Sequence, residues 1–153
     1  EIDSLNKLRK KPGNLAFWVD NDIRMTASGW THAPGIAYHG YDVPRMVANG
    51  NIDEDAKEGW IDSSAGKFPD WIELAWQQKQ KIGKVLILGT NIKDYDLQYW
   101  NGSEWATVAS IKGSSKKMLV HNFGPASTDK LRVWITDANG PQSIISEIEC
   151  YEH

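Results

Sequence analysis

The stretch from Gly29 to Val43 gathers Trp30, His32, Tyr38, His39 and Tyr41 into one segment that also holds Pro34, Gly35 and Gly40. Flat rings such as Trp30, Tyr38 and Tyr41 can lie against the C–H face of a pyranose, while the imidazoles of His32 and His39 can exchange hydrogen bonds with its hydroxyls. Loops this long in compact domains are functional or disordered, and the aromatic content argues for function. The neighbouring segment from Gly50 to Trp60 is acidic. Asn49, Asn51, Asp53 and Asp55 set oxygen-bearing side chains at alternate positions, the donor type a hard cation such as calcium prefers. The helix–loop–helix calcium motif is excluded, because Glu54 sits where that loop requires glycine and Trp60 where it requires a bidentate glutamate. A solvated acidic turn is the alternative for this segment.

Signs of turnover are weak. Asp20 with Asp22 and Asp94 with Asp96 are adjacent carboxylates of the kind common in exposed turns, and they imply no acid/base pair without a cleft. Cys150, the single cysteine, stands between apolar neighbours Ile148 and Tyr151 and reads as a buried, inert thiol. No nucleophile elbow, phosphate loop or His-Glu-x-x-His pattern is present. The expectation is a protein that is not an enzyme. Asn101-Gly102-Ser103 is formally a glycosylation acceptor, yet turn chemistry already explains it.

The elements that must position these groups fit into one domain of 153 residues, long enough to own a core without staples. A net charge of −3 argues against nucleic acid and anionic membrane surfaces as partners. The most apolar run, Val85 to Leu88, is far short of the roughly 20 residues of a membrane span. The chain opens on Glu1, and an excised module of a larger protein is expected. Residues 1–13, basic and closed by Pro12-Gly13, read as a linker or frayed segment, with the folded unit over 14–153.

Within that unit the periodicity is two, not 3.6. Asp70 to Trp76 alternates cleanly, Lys84 to Gly89 is a continuous apolar run, and Lys117–Phe123, Lys130–Thr136 and Ser143–Tyr151 are further strands. Tyr95, Leu97 and Tyr99 alternate with Asp96, Gln98 and Trp100 up to Asn101-Gly102, a hairpin signal before Trp105, Thr107 and Ala109. A short helix is expected over Pro44–Gly50. This pattern predicts an all-β antiparallel sandwich. The eight tryptophans then divide: Trp71, Trp76, Trp105 and Trp134 lie on strands as core or sheet surface, leaving the flat ligand faces to the loops.

The order of segments from about Asn14 to Tyr151 resembles the discoidin or coagulation-factor type C domain, a galactose-binding-like jelly roll. The resemblance is carried by Asn14-Leu15-Ala16, Thr26-Ala27-Ser28, the turn Met46 to Asn51, Trp60, Trp71-Ile72-Glu73-Leu74, Tyr95 to Gly102, and Ser146-Glu147-Ile148-Glu149-Cys150-Tyr151. It implies a noncatalytic carbohydrate-binding module whose partners are a glycan or polysaccharide and the other domains of a secreted or surface protein, extracellular and bacterial. The class alternative is a protein- or lipid-binding adhesion domain of discoidin type. Lipid binding is disfavoured because no lysine or arginine lies between Gly29 and Val43, where an anionic headgroup would need one. The resemblance places ligand contacts on the loops at one end. That adds Lys93, standing where the family has arginine, and Asn139 to Trp30, His32, Tyr38, His39 and Tyr41. It also implies a structural calcium held by Asn49, the backbone of Asn51, Asp53 and Glu147, with Asn49 in place of the family's aspartate.

Overall fold

The computed structural model describes residues 11–17, 20, 22–30, 43–48, 50 and 59–153. Period-two alternation produces strands β1 (Ile23–Ala27), β2 (Trp60–Ile61), β3 (Asp70–Leu88), β4 (Ile92–Trp100), β5 (Trp105–Ile111), β6 (Met118–Ala138), β7 (Ile144–Ile145) and β8 (Glu147–Tyr151). Every pairing among them is antiparallel. The hydrogen-bonded order is β1-β3-β6-β4-β5, with β8 joined to β3, and β2 pairs separately with β7. The all-β antiparallel sandwich expected from the sequence is therefore the fold.

Two strands make both layers. The first part of β3 pairs with β1 and with the last part of β6, which carries β4 and β5 on its other edge. The second part of β3 pairs with β8 and with the first part of β6. A five-stranded and a three-stranded layer thus share β3 and β6, which bend from one to the other. Between the layers, Ile72, Leu74 and Trp76 meet Leu131, Val133 and Ile135 from one side, and Ile82, Val85, Ile87, Ile148 and Cys150 from the other, in one buried cluster.

This corrects the strand boundaries read from sequence. Asp70–Trp76 and Lys84–Gly89 are one strand, as are Lys117–Phe123 and Lys130–Thr136, whereas Ser143–Tyr151 divides into β7 and β8. The polar run Gln77 to Lys81 between the two expected strands is the bend itself, largely exposed but still paired through Gln80↔Thr128 and Lys81↔Ser127, with register shifts on either side. At the second shift sits Gly83, where a side chain would run into the Glu152 and Phe123 carbonyls. The helix expected at Pro44–Gly50 is a 3₁₀ helix over Val43–Ala48, with Pro44, Val47 and Ala48 buried.

Buried Asn14 pins the chain to the last strand. Its Oδ1 accepts from the Ala16 and Cys150 amides at 3.0 and 3.1 Å, and the Leu15 amide donates to the Cys150 carbonyl at 2.7 Å. Lys11 reaches the buried Glu149 carboxylate at 2.7 Å.

Candidate functional site

Antiparallel order brings several loops to one end: the segment after β1, the 62–69 connection before β3, the start of β4, the β5–β6 turn and the 139–143 connection after β6. Trp30, Lys93 and Asn139 all lie at this end. They do not form one cluster. Trp30 follows β1 at one edge and Lys93 opens β4, three strand spacings away in the order β1-β3-β6-β4, or about 14 Å at ~4.8 Å per spacing. His32, Tyr38, His39 and Tyr41 lie outside the described residues, as do Asn49, Asn51 and Asp53.

Trp30 is 43% exposed, against complete burial of Trp60. Its backbone approach is held rigidly. The Trp60 indole N–H donates to the Gly29 carbonyl at 2.7 Å, and the Ser28 hydroxyl both accepts from the Trp71 amide at 3.0 Å and donates to Asp62 at 2.8 Å. The polar atoms of the opposite edge also carry structural duties. Lys93 Nζ lies 3.7 Å from the Asp137 carboxylate, and the Asn139 side-chain amide donates to the Ser114 carbonyl at 2.8 Å. Asn91 ties these loops together, donating to the Gln142 carbonyl at 2.7 Å and accepting from the Ile144 amide at 2.8 Å.

Sequence reasoning missed the buried polar frame beneath Trp30. Asp62 and Asp70 are each 1% exposed. Asp62 accepts from the Ser64 amide and hydroxyl at 2.8 and 2.7 Å, the local Asx pattern that Asp62-Ser63-Ser64 could have signalled. Asp70 accepts from the Ser143 hydroxyl at 2.7 Å. Burial pushes the Asp70 carboxyl up to about 6, Ser143 pulls it down, and the adjoining Asp62 raises it by charge and by favouring its protonated form. The two carboxylates thus lie close in one interior, and the pressure falls on Asp70 toward its protonated form.

Glu147 opens β8, fully buried, and its Oε2 accepts from the Gly50 amide at 2.7 Å. That orientation toward the Gly50 segment suits a hard-cation ligand set. Among the described residues alone, no three acids, histidines or cysteines converge on a metal position. Deeper in the core, the Tyr95 hydroxyl lies 2.6 Å from His121 Nε2, and burial lowers the His121 pKa. Among the described residues, two clefts, of about 440 and 200 Å³, lie beside Tyr151 at the far end and along the β1 edge. Neither includes Trp30.

The tryptophans expected on strands separate by face. Trp76 is buried in the core, its indole N–H donating to the Leu15 carbonyl at 2.8 Å. Trp71, Trp105 and Trp134 are half-buried on the outer surface of the five-stranded layer.

Comparison with solved structures agrees with this architecture. The family 32 carbohydrate-binding module from C. perfringens NanJ, in complex with galactose, superposes with a TM-score of 0.67 at 18% identity, over 85% of this chain and 93% of that one. Chitosan-binding module 2 of a Paenibacillus sp. IK-5 chitosanase/glucanase, in complex with chitotriose, gives 0.69 at 20% identity, over 90% and 99%. A Ruminococcus gnavus GH29 fucosidase in complex with fucose gives 0.65 at 19% identity, over 97% of this chain but 28% of that one. No curated protein matches. The F5/8 type C domain family model matches residues 24–150, and the chain belongs to the F5/8 type C domain family.

Proposed function

We propose that this domain is a noncatalytic carbohydrate-binding module, engaging glycan at the loop end through Trp30. The observation that carries the reading is an exposed indole on a braced backbone, with Gly29 held by Trp60 and Ser28 held by Trp71 and Asp62. Preorganisation of this kind lowers the ordering cost of binding. The galactose and chitotriose of the similar binding modules support a sugar as ligand. His32, Tyr38, His39 and Tyr41, which follow Trp30 in the sequence, belong to the same proposed contact set, and Lys93 and Asn139 serve a longer ligand across the crest. The fucosidase, in which the matching region is about a quarter of the chain, supports attachment to a larger carbohydrate-active protein, which we place outside or on the surface of a bacterial cell. Such a module works by raising the local concentration of its partner domain on the polymer.

We also place a structural calcium at Glu147 with Asn49, Asn51 and Asp53. Its chemistry would be to neutralise a buried carboxylate and lock the Gly50 segment to β8.

A glycan array run with the domain and with Trp30→Ala tests the first reading. Binding to a defined glycan group should fall by roughly a hundredfold in the variant while the melting temperature stays unchanged; equal binding refutes the role of Trp30. Melting in EDTA tests the second: Tm should drop, and an unchanged Tm removes the calcium.

A further inference from the structure

The outer face of the five-stranded layer carries a built feature that the loop end does not use. Trp71, Trp134, Arg132, Gln98, Trp105 and Trp100 share this face, because the residues alternating with them point into the core. The Arg132 guanidinium lies between two indoles, its Cζ 4.1 Å from the Trp105 ring centroid and 4.4 Å from that of Trp134. Gln98 fixes it by accepting from Arg132 Nε at 2.6 Å. Trp100 packs edge-on against Trp105 at 5.5 Å, with Lys130 Nζ 5.7 Å from its ring centroid. Trp71 pairs with Trp134 across the β3–β6 ladder.

This row begins at the loop end, since the Trp71 amide donates to Ser28 two residues before Trp30. It runs down the sheet from the level of Trp134 to that of Lys130, four residues or about 13 Å at ~3.3 Å per residue. The face meets solvent: Thr107 and Thr136 beside it are exposed. Its composition selects the occupant. A protein docking patch needs a contiguous apolar centre, whereas here rings alternate with Gln98, Arg132 and Glu73 and no large aliphatic side chain intervenes on β3, β4 or β6. Rings interleaved with planar polar groups match a sugar polymer, which presents C–H faces and hydroxyls by turns.

We propose that this face is a second glycan-contact surface continuous with the loop end, so that the domain takes an extended polysaccharide chain as well as a single terminal sugar. The proposal rests on the carbohydrate reading above. Arg132 and Lys130 are matched on this face by Glu73 and Asp96, so the contact rests on the rings and not on net charge.

Affinity electrophoresis through gels containing galactan, polygalacturonate or chitosan tests it, using the domain, Trp71→Ala, Trp134→Ala and Trp30→Ala. Retardation by galactan or polygalacturonate should weaken on the order of tenfold in each face variant at unchanged fold. Retardation should follow the rings and not the polymer's charge; a variant effect confined to polygalacturonate overturns ring stacking as the basis of the surface. If both face variants match the parent while Trp30→Ala is lost, the second surface is wrong and the loop end stands. If Trp30→Ala matches the parent while the face variants are lost, the surface stands and the loop end is wrong. A parent domain retarded by none of the gels overturns both. Should Trp134→Ala fail to fold, Trp71→Ala decides, because Trp71 stands outside the Arg132 stack.

Discussion

The two layers of the sandwich treat their outer faces differently. Along β8 the three-stranded layer is sealed: Glu147 and Glu149 are fully buried, under a segment that runs from Lys11 to Ala16 and under Gly50, while Met118 and Val120 on its β6 edge are exposed. The five-stranded layer is open, and its outer side chains are ordered by one another. A sandwich needs only its inner faces to be apolar. What the difference teaches is that one outer face can be given over to anchoring the chain and the other kept for contact with something outside.

The largest effect expected from breaking this division lies on the sealed side. Asn14→Ala leaves the Ala16 and Cys150 amides without their acceptor in the interior, and urea unfolding should show a loss of about 2–4 kcal/mol. A smaller loss than 1 kcal/mol would mean that the segment is not an integral part of that layer.

Next come the buried carboxylates, which the two regions neutralise differently. Glu149 meets the Lys11 ammonium, whereas Asp70 relies on a proton. Its carboxyl is raised from 3.8 to about 6, so the folded state binds more protons than the unfolded state between those values. Stability from this group is therefore full below about pH 4 and is lost as pH rises through 6, with a total of order 2–3 kcal/mol at 1.36 kcal/mol per unit. His121 works the other way, because its lowered pKa favours the neutral fold as pH rises toward 6.5. The profile of Asp70→Asn relative to the parent isolates the first effect: the variant should gain relative stability from pH 4 to 7, and a flat difference would remove the raised Asp70 pKa.

The smallest stability change is expected on the open face. Trp134→Ala gives up one side of the Arg132 stack, worth about 1 kcal/mol for a half-exposed cation–π contact, even where it weakens polysaccharide retention tenfold. A loss as large as that of Asn14→Ala would erase the distinction between the faces.

Much of the fold was legible because alternation of Ile72, Leu74 and Trp76 or Leu131, Val133 and Ile135 reports a half-buried strand directly. The hairpin was legible from Asn101-Gly102, where Asn101 Oδ1 accepts from the Ser103 and Glu104 amides. Continuity of β3 through Gln77 to Lys81 was not, since a solvated bend and a loop have the same polar composition. At the loop end, Trp30 was legible as a ring in a long connection. That Asn139 already gives its amide to Ser114 was hidden, as was the Arg132 stack, because both depend on the register between distant strands.

Continuity of β3 and β6 through both layers also has a mechanical side. Leu15 and Cys150 are bonded side by side near the bend, away from Trp30, so on the proposed glycan-binding role a pull between a polymer held at the loop end and chain attached at the other pole would run lengthwise along β3 and β6, which continue through the bend. Such a load would be borne in shear by many hydrogen bonds at once.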